Sequence, residues 1–497
     1  MSTARSVARR GVVALLAVAC LLAPVSAGLA AERLSSLRSL SQQADVSALV
    51  VRLDDMQPIA RLNPDRRLTP ASVSKLYAAA AALEQFGPDH RFSTRFVSEA
   101  SLTEGVLEGD LVFVGGGDPA LDNAGLWSLI GRLQGRGVRR VAGDLVIDDS
   151  LFGRVPCLTK DRCDARSGAW HAYSAPLSSA GVNFATVHAS VYAGSRADAP
   201  TRVVLHPDRL SGYDIDNRVT TGGPDTRAHM KAWRTYDDGR STLHLRGELP
   251  AGGGPYEVHR AVTGPAGETA RVLAAMLADA GIEVAGDVRV QEQAGRDAEP
   301  LARIDSDTLA EQLIPMMAYS NNYMADTLTL DLAADSQYNR PLTLPLAAQS
   351  LEALADRATS RIYPDHAGGR GPIFDSGSGL AVSNELSARD VVALLGYMYR
   401  QNALFPAFYG SLPVPLSAPS RTLKQGNFDW LTRLTAKTGT LSEPVTVRSL
   451  AGYFRLADGG FGAFAFIING TADNPALTYR QTVTAYQTDM EAILDTY

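Results

Sequence analysis

Three short polar strings follow one another along the chain in an order that suits acyl transfer. They are Ser72-Val73-Ser74-Lys75, Ser320-Asn321-Asn322 and Lys437-Thr438-Gly439. A serine hydroxyl is a weak nucleophile until a neighbouring base accepts its proton, and a neutral lysine amine is such a base. The strings therefore predict Ser72 as a catalytic nucleophile and Lys75 as its general base.

The scarcity of lysine strengthens this interpretation. Of 47 lysines and arginines in the chain, five are lysines. They stand at Lys75, Lys160, Lys231, Lys424 and Lys437. Arginine stays protonated in proteins, whereas burial and a neighbouring cation can neutralise a lysine. We therefore expect the pKa of Lys75 to be lowered and Lys437 to remain the cation.

The second string supplies one residue that can transfer a proton and another that can bind an amide. We expect Ser320, the third catalytic residue, to relay a proton toward the leaving amine. The side chain of Asn322 has both donors and an acceptor, so it suits a substrate amide. Both residues are predicted to reach the space next to Lys75.

The third string is predicted to bind substrate. Lys437 supplies positive potential, and the hydroxyls of Thr438 and Thr440 suit a substrate carboxylate. The strand edge after Gly439 can pair with an extended peptide. The backbone N–H groups of Ser72 and Thr440 would form an oxyanion hole.

The surrounding sequence predicts elements that bring these residues together. Pro70 precedes an Ala- and Leu-rich segment, residues 71–86, which Gly87 closes, so Ser72 and Lys75 share the first turn of a helix. Ser320 falls between two further predicted helices. The strand-rich end of the chain is predicted to contain strands at 431–438, 448–456 and 461–468. The third string thus lies on a sheet.

Charge and targeting signals narrow the function classes. The net charge is −6 without a basic cluster, which gives no support to nucleic-acid binding. Arg5, Arg9 and Arg10 precede an apolar stretch and then small residues, as in an export signal ending near residue 31. A lipidation site at Cys20 is the alternative. No later segment has the ~18 apolar residues of a membrane span.

Cysteines and histidines give weaker signals. Cys157 and Cys163 remain after signal cleavage, and their even count in an exported chain predicts a local disulfide, with two reduced thiols as the alternative. None of the eight histidines is paired at metal-ligand spacing. We therefore predict no metal site and no cofactor. The chain also lacks a Gly-x-Ser-x-Gly elbow, which disfavours an α/β-hydrolase.

The ordered strings are the signature of class A β-lactamases and penicillin-binding proteins. The 244 residues between Lys75 and Ser320 exceed what a β-lactamase carries there. Supporting strings are Gly115 to Leu121, Asp375 to Leu380, Lys437 to Leu441 and Ser449 to Tyr453. Over the mature chain the sequence resembles the class C low-molecular-mass penicillin-binding proteins of the penicillin-binding protein 4 type, peptidase family S13.

The resemblance implies an α+β fold. A transpeptidase-like domain, with an antiparallel sheet flanked by helices, carries an inserted β-rich region of two small domains. Short alternating strands punctuated by Gly and Asp after about residue 91 agree with this. The expected division is a signal peptide at 1–31, the first part of the transpeptidase-like domain at 32–92, the insertion at 93–256, and the second part at 257–497.

The implied function is that of an exported, periplasmic serine D-alanyl-D-alanine carboxypeptidase or endopeptidase. It would act on peptidoglycan stem peptides through an acyl-enzyme on Ser72, and β-lactams would acylate the same serine. Three alternatives remain: a preference for crosslink cleavage, a β-lactamase-like hydrolase, and a non-catalytic cell-wall-binding protein on the same scaffold. The oligomeric state is left open.

Overall fold

The computed structural model describes residues 33–291, 298–334 and 342–497. The predicted export signal and Cys20 lie outside the described residues. The strands are β1 (Asp45–Arg52), β2 (Pro58–Leu62), β3 (Ser93–Val97), β4 (Leu102–Thr103), β5 (Val106–Leu107), β6 (Leu111–Val114), β7 (Arg140–Val141), β8 (Leu145–Asp148), β9 (Gly168–Ala169), β10 (Thr186–Tyr192), β11 (Arg202–Leu205), β12 (Tyr213–Gly222), β13 (His229–Asp237), β14 (Arg240–Pro250), β15 (Tyr256–Ala261), β16 (Glu283–Val284), β17 (Val288–Val290), β18 (Pro300–Asp305), β19 (Leu434–Leu441), β20 (Val447–Arg455) and β21 (Phe461–Asn469).

The α-helices are α1 (Ser35–Leu40), α2 (Lys75–Phe86), α3 (Asn123–Gly135), α4 (Lys160–Asp164), α5 (Pro265–Asp279), α6 (Leu309–Ala318), α7 (Asn322–Ala334), α8 (Leu344–Ile362), α9 (Ala388–Tyr399), α10 (Phe405–Ser411), α11 (Phe428–Arg433) and α12 (Tyr479–Thr496). Several begin at side-chain caps. Thr308, Ser387 and Thr478 each form a capping box with the third residue of the following helix. Ser387 followed three residues later by Asp390 is the sequence pattern of a capping box, and the structure forms that box.

A five-stranded antiparallel sheet organises the site. Its order is β19-β20-β21-β1-β2, so the strands nearest the two ends of the described chain lie side by side. Along β21, Phe464 and Phe466 face one core while Ala463 and Ala465 face the other. This alternation follows from the two-residue period of a strand. The sheet is therefore apolar on both faces and needs a helical layer on each.

Helices cover the two faces of this sheet. The buried helix α2 packs with α6 to α9 on one face, and α1, α11 and α12 cover the other. Residues 75–83 of α2 are all buried, and alanines occupy five of those positions. Small side chains let neighbouring elements approach α2 closely. The residues at the start of α2 are thus fixed by packing on all sides.

Strands on the two sides of the predicted end of the insertion, residue 256, pair with one another. Four strands from residue 256 onward pair with strands that precede it: β15 with β10, β16 with β7, β17 with β8, and β18 with β3. The predicted boundary at 256 followed a change in sequence texture, whereas strand pairing follows hydrogen bonds between distant segments. We propose that the insertion ends near Asp305.

The insertion also contains helices that its strand-rich texture did not reveal. Helix α3 begins at Asp122, whose side chain accepts a hydrogen bond from the backbone N–H of Gly125. Its Leu126, Leu129, Ile130 and Leu133 are buried. Within the described ranges, no helix is both long and apolar enough to span a bilayer.

Candidate active site

Ser72 and Lys75 lie at the start of a buried helix. A short 3₁₀ turn over Ala71–Ser74 leads directly into α2, which begins at Lys75. The Nζ atom of Lys75 is 2.9 Å from the Oγ atom of Ser72. The lysine side chain is fully buried. The two residues that the sequence paired therefore contact each other, and their roles remain predictions.

The contacts of Lys75 match the hydrogen-bonding capacity of a neutral amine. Besides the Ser72 hydroxyl, Nζ lies 2.7 Å from Oδ1 of Asn322 and 2.7 Å from the carbonyl oxygen of Ser378. These two oxygens can only accept hydrogen bonds, whereas a hydroxyl can donate. A neutral amine has two N–H donors and one lone pair. It can donate to Asn322 and Ser378 while accepting the proton of Ser72.

Burial lowers the pKa of Lys75 well below its ordinary value, and the nearby charges of Lys437 and Arg162 lower it further. Asp326 opposes this shift. Desolvation disfavours the ammonium because the interior solvates charge poorly, and a second cation adds repulsion. The direction agrees with the expectation from the sequence, and it favours the base form of the amine.

Lys437 lies on the central sheet opposite α2. Its Nζ atom is 2.9 Å from Oγ of Ser320 and 2.7 Å from the carbonyl oxygen of Thr438. Burial lowers the pKa of Lys437 to about 7. Desolvation disfavours the ammonium, so near neutral pH the side chain is divided between its charged and neutral forms, and the role of Lys437 as the cation stays a prediction. An arriving substrate carboxylate would favour the ammonium again.

Two backbone positions next to the reacting groups have positive φ. Ala71, which precedes Ser72, has φ 49°, and Ser320 has φ 55°. Residues other than glycine adopt this region at an energetic cost, and such strain concentrates at functional sites. Gly379 also has positive φ, and a Cβ atom there would lie 1.9 Å from the carbonyl oxygen of Ala71. Only glycine fits beside this turn.

The third string lies on an edge strand against the turn of Ser72. Strand β19 is the outermost strand of its sheet. The N–H of Ala436 donates to Pro413 rather than to β20, so the N–H groups of Thr438 and Thr440, two and four residues on, point to the same outer side. A Cβ atom at Gly439 would lie 3.1 Å from the backbone nitrogen of Ser72.

The N–H groups of Ser72 and Thr440 are therefore suitably placed for the predicted oxyanion hole. The first N–H groups of a helix have no partner within it, and that of Ser72 belongs to the turn leading into α2. The N–H of Thr440 points toward the free edge of the sheet. The close approach at Gly439 brings the two segments together.

An open cleft of about 850 Å³ leads to these residues. Ser72, Ser320, Asn322, Thr438 and Thr440 all line it. One wall comes from the insertion and consists of Asp161, Asp164, Gly168, Ala169, Trp170, His171, Tyr173 and Ser174. The insertion therefore helps to form the cleft that contains Ser72.

The sequence analysis did not identify the residues that support the contacts of Lys75. Oδ1 of Asp326 accepts a hydrogen bond of 2.7 Å from the backbone N–H of Ser378, whose carbonyl faces Lys75. Oδ2 of Asp326 lies 2.7 Å from Nη2 of Arg162, and both side chains are buried. These residues are far apart in the sequence and form no motif. The supporting string that contains Ser378 was the one available signal.

Arg162 reaches this position from a bridged loop of the insertion. The structure joins Cys157 and Cys163, which are six residues apart, in a disulfide with a Cα–Cα distance of 5.2 Å. Helix α4 contains both Arg162 and Cys163. The bridge therefore closes the loop that carries the buried arginine.

Asp375 takes no part in the cleft. Its carboxylate accepts a hydrogen bond from the hydroxyl of Ser383, and the N–H of Asp375 donates to Asn384. Asn384 also donates to Oγ of Ser74. This loop packs against the turn of the predicted nucleophile. It shapes the site through Ser378 and Gly379 rather than through the carboxylate of Asp375.

A comparison with family models places almost the whole chain in one match. Residues 31–490 match the model described as the D-Ala-D-Ala carboxypeptidase 3 (S13) family. This is the family that the ordered strings suggested.

Two curated relatives agree with the match. The chain is 31% identical over 430 residues to a D-alanyl-D-alanine carboxypeptidase of Actinomadura sp., covering 84% of this chain and 76% of the relative. It is 24% identical over 467 residues to the D-alanyl-D-alanine carboxypeptidase DacB of Haemophilus influenzae, covering 91% of each.

Among solved structures, penicillin-binding protein 4 (dacB) from Haemophilus influenzae superposes with a TM-score of 0.70 at 22% identity, over 92% of this chain and 98% of that one. The likeness confirms the predicted α+β fold with its transpeptidase-like domain and insertion.

Proposed function

The chain belongs to the D-Ala-D-Ala carboxypeptidase 3 (S13) family, and on that premise we propose that it is a periplasmic serine hydrolase of peptidoglycan stem peptides. It removes the terminal D-alanine and also cleaves D-alanyl crosslinks. The observation that carries the proposal is the contact of the buried Lys75 amine with the Ser72 hydroxyl at 2.9 Å.

The acylation step uses groups from four residues. As the Ser72 oxygen attacks the carbonyl carbon of the penultimate D-alanine, its proton passes to the amine of Lys75. The negative charge that develops on the carbonyl oxygen is stabilised by the N–H groups of Ser72 and Thr440. Ser320 then passes its hydroxyl proton to the leaving nitrogen and takes up the proton held by Lys75, so the lysine amine is neutral again and terminal D-alanine departs. Water hydrolyses the resulting ester and restores the serine.

The other side of the cleft recognises the terminal carboxylate. Lys437 in its ammonium form, together with the hydroxyls of Thr438 and Thr440, supplies charge-assisted hydrogen bonds to it. Asn322 orients the substrate amide while it fixes Lys75. A β-lactam also carries a carboxylate beside an acylating carbonyl, so we propose that it acylates Ser72.

The open cleft supports endopeptidase activity beside carboxypeptidase activity. Its insertion wall and the segment after β19 contribute Asp161, Asp164 and Glu443 to the lining of the cleft. Carboxylates attract ammonium groups, such as the free amine on the side chain of a diamino acid in a stem peptide. The same catalytic groups would cleave a crosslink once its second strand is held in this cleft.

Intact-mass measurement after incubation with penicillin tests the nucleophile. Wild-type protein should gain one penicillin mass, and the Ser72→Ala variant should gain none. Ser128→Ala removes an exposed serine on α3 and should label like wild type. An adduct that persists in Ser72→Ala removes Ser72 from this role, and an unlabelled wild type supports the non-catalytic wall-binding alternative.

Digestion of purified muropeptides tests the substrates. The proposal expects loss of terminal D-alanine from monomeric pentapeptides and conversion of crosslinked dimers to monomers. Both products should disappear with Ser72→Ala. Intact dimers in a digest that trims pentapeptides would restrict the function to the carboxypeptidase. Rapid, repeated β-lactam hydrolysis with unchanged muropeptides would instead indicate a β-lactamase.

A further inference from the structure

A cluster of polar side chains lies on the outer face of a small sheet in the insertion. This sheet has the order β11-β10-β15. On β10, Val187, Ala189 and Val191 point into the core, so His188 and Ser190 point to the other face. On β15, His259 lies opposite His188, and Glu257 lies opposite Ser190.

His206 joins the cluster from the end of β11. Its backbone N–H donates to the carbonyl oxygen of His188 at 3.0 Å, and its ring stacks on that of His188 with centroids 4.5 Å apart. The fold thus brings together histidines that are widely separated in the sequence. The absence of a metal-ligand spacing in the sequence therefore did not exclude a metal-ligating set.

Three residues of the cluster converge their possible ligand atoms. One ring nitrogen of each of His188 and His206 and a carboxylate oxygen of Glu257 all lie within 4.8 Å of one another. Two imidazoles and one carboxylate are a donor set that zinc and other first-row divalent cations accept, with a fourth position left for water. Neighbouring strands supply these three side chains, so the hydrogen bonds between the strands hold the possible ligands in place.

We propose that His188, His206 and Glu257 bind a first-row divalent cation, preferably Zn²⁺, which ties together strands β10, β15 and the end of β11. The cation serves the insertion as a structural clip. None of its three ligands lines the cleft that contains Ser72.

The present contacts show what cation binding would change. Nε2 of His188 lies 2.5 Å from Oε2 of Glu257, so a hydrogen bond occupies the space between these two ligands. A cation about 2.1 Å from each donor replaces this bond, and the ring nitrogens must be unprotonated to bind it.

Ser190 is placed to orient the ligands. Its buried hydroxyl lies 2.8 Å from Nε2 of His206 and donates to Oε2 of Glu257, also at 2.8 Å. Hydrogen-bonding partners of this kind orient metal ligands and support affinity. His259 stacks on the opposite side of His188, with centroids 4.3 Å apart, and limits the rotation of that ring.

Calorimetric titration of the chelator-treated mature chain with ZnCl₂ tests the site, with Co²⁺ absorption as an independent readout of ligand geometry. Wild type should bind one equivalent, and bound Co²⁺ should show the intense bands of a four-coordinate nitrogen and oxygen site. His188→Gln, His206→Gln and Glu257→Gln should each weaken binding at least tenfold. His229→Gln, which removes an exposed histidine on β13 outside the cluster, should bind like wild type.

Thermal unfolding of each apo variant establishes that it is folded. Zinc should raise the unfolding midpoint of wild type and of His229→Gln, but not that of the variant lacking both His188 and His206. Absence of a stoichiometric equivalent in wild type would reduce the cluster to a hydrogen-bonded group and overturn the proposal. Unchanged affinity in all three ligand variants would do the same. Penicillin labelling of Ser72 is independent of these results.

Discussion

Lys75 and Lys437 are buried lysines on opposite sides of one cleft, yet their surroundings differ. Lys75 contacts three oxygens at 2.9, 2.7 and 2.7 Å, and a buried ion pair stands behind one of them. Lys437 contacts only a hydroxyl and its neighbour's carbonyl among the described residues. The pKa of Lys75 is the more strongly lowered, and that of Lys437 falls to about 7.

The difference suits the different roles that we propose for these two lysines. Lys75 is fully coordinated before substrate arrives, so it is prepared to accept one proton. Lys437 titrates near neutral pH, so an incoming carboxylate determines its charge. The two amines also repel each other when both are charged. The following changes test this division, beginning with the largest expected effect.

Replacing Lys75 by arginine should remove the base while keeping a long cationic side chain. Arginine stays protonated, so it cannot accept the proton of Ser72, and it adds a permanent charge near Lys437. We expect the second-order rate constant for penicillin acylation to fall about 10⁴-fold, the upper range for general-base catalysis. Stopped-flow or gel-based labelling measures this rate.

Lys424→Arg is the matched control, since Lys424 is exposed and lies outside the cleft. Its acylation rate should equal that of wild type. If Lys75→Arg reacted within tenfold of wild type, the proton of Ser72 would have another acceptor and the two lysines would not differ as described.

Asp326→Asn should test the support behind Lys75. The amide can still accept from the N–H of Ser378, but Arg162 becomes a buried cation without a counter-charge. Breaking a buried ion pair on one side costs about 3–5 kcal/mol, and we expect this loss in the free energy of unfolding from urea denaturation. Adding Arg162→Met should recover part of the loss.

An exposed ion pair gives the control for this change. Arg52 and Asp458 form a contact with side chains 31% and 56% exposed. Asp458→Asn should therefore cost less than about 1 kcal/mol, because water screens exposed pairs. Equal losses of unfolding free energy for Asp326→Asn and Asp458→Asn would show that the buried pair behind Lys75 stabilises the fold no more than an exposed pair does.

Lys437 should make carboxylate binding depend on pH. Its pKa in the free protein is about 7, so the ammonium is lost as pH rises through that value, whereas the bound carboxylate requires it. Above pH 7 each binding event takes up a proton, and the dissociation constant should rise about tenfold per pH unit by linkage. Calorimetry on Ser72→Ala with a D-alanyl-D-alanine peptide measures binding without reaction.

Two controls separate Lys437 from other titrating groups. The corresponding peptide amide has no terminal carboxylate and should bind weakly with no such slope. In Ser72→Ala with Lys437→Met, the slope should disappear for the acid as well. A slope that persists without Lys437 would assign carboxylate recognition to another cation.

The catalytic groups could be predicted from the sequence because each lies in a short motif whose chemistry can be recognised without knowing the fold. Ser72 and Lys75 share one turn of a helix, and the end of the chain has the alternation of a sheet. The resemblance added the fold. These inferences need only nearest neighbours along the chain, and the fold agrees with them.

Long-range support could not be predicted in the same way. Asp326 lies in helix α7 and Arg162 lies in the short helix α4, 164 residues earlier, and nothing in either segment indicates the other. The lowered pKa of Lys437 also depends on burial that only tertiary packing creates. Helix α3, by contrast, had a readable signal: Asp122 as a cap, followed by buried leucines at helical spacing.

Removal of the disulfide should have the smallest effect on acylation, and it tests how far the environment of Lys75 depends on the insertion. Cys157→Ser with Cys163→Ser opens a loop of six-residue separation, which should cost about 2 kcal/mol of unfolding free energy in the chain-entropy model. Arg162 should still reach Asp326, because its own side chain is buried and paired there without help from the bridge. We therefore expect penicillin acylation to stay within about twofold of wild type under native conditions. Dithiothreitol treatment of wild type should reproduce both results. A much larger fall in the acylation rate would mean that the bridge itself positions Arg162, and that the environment of Lys75 is set from the insertion rather than from the helices around α2.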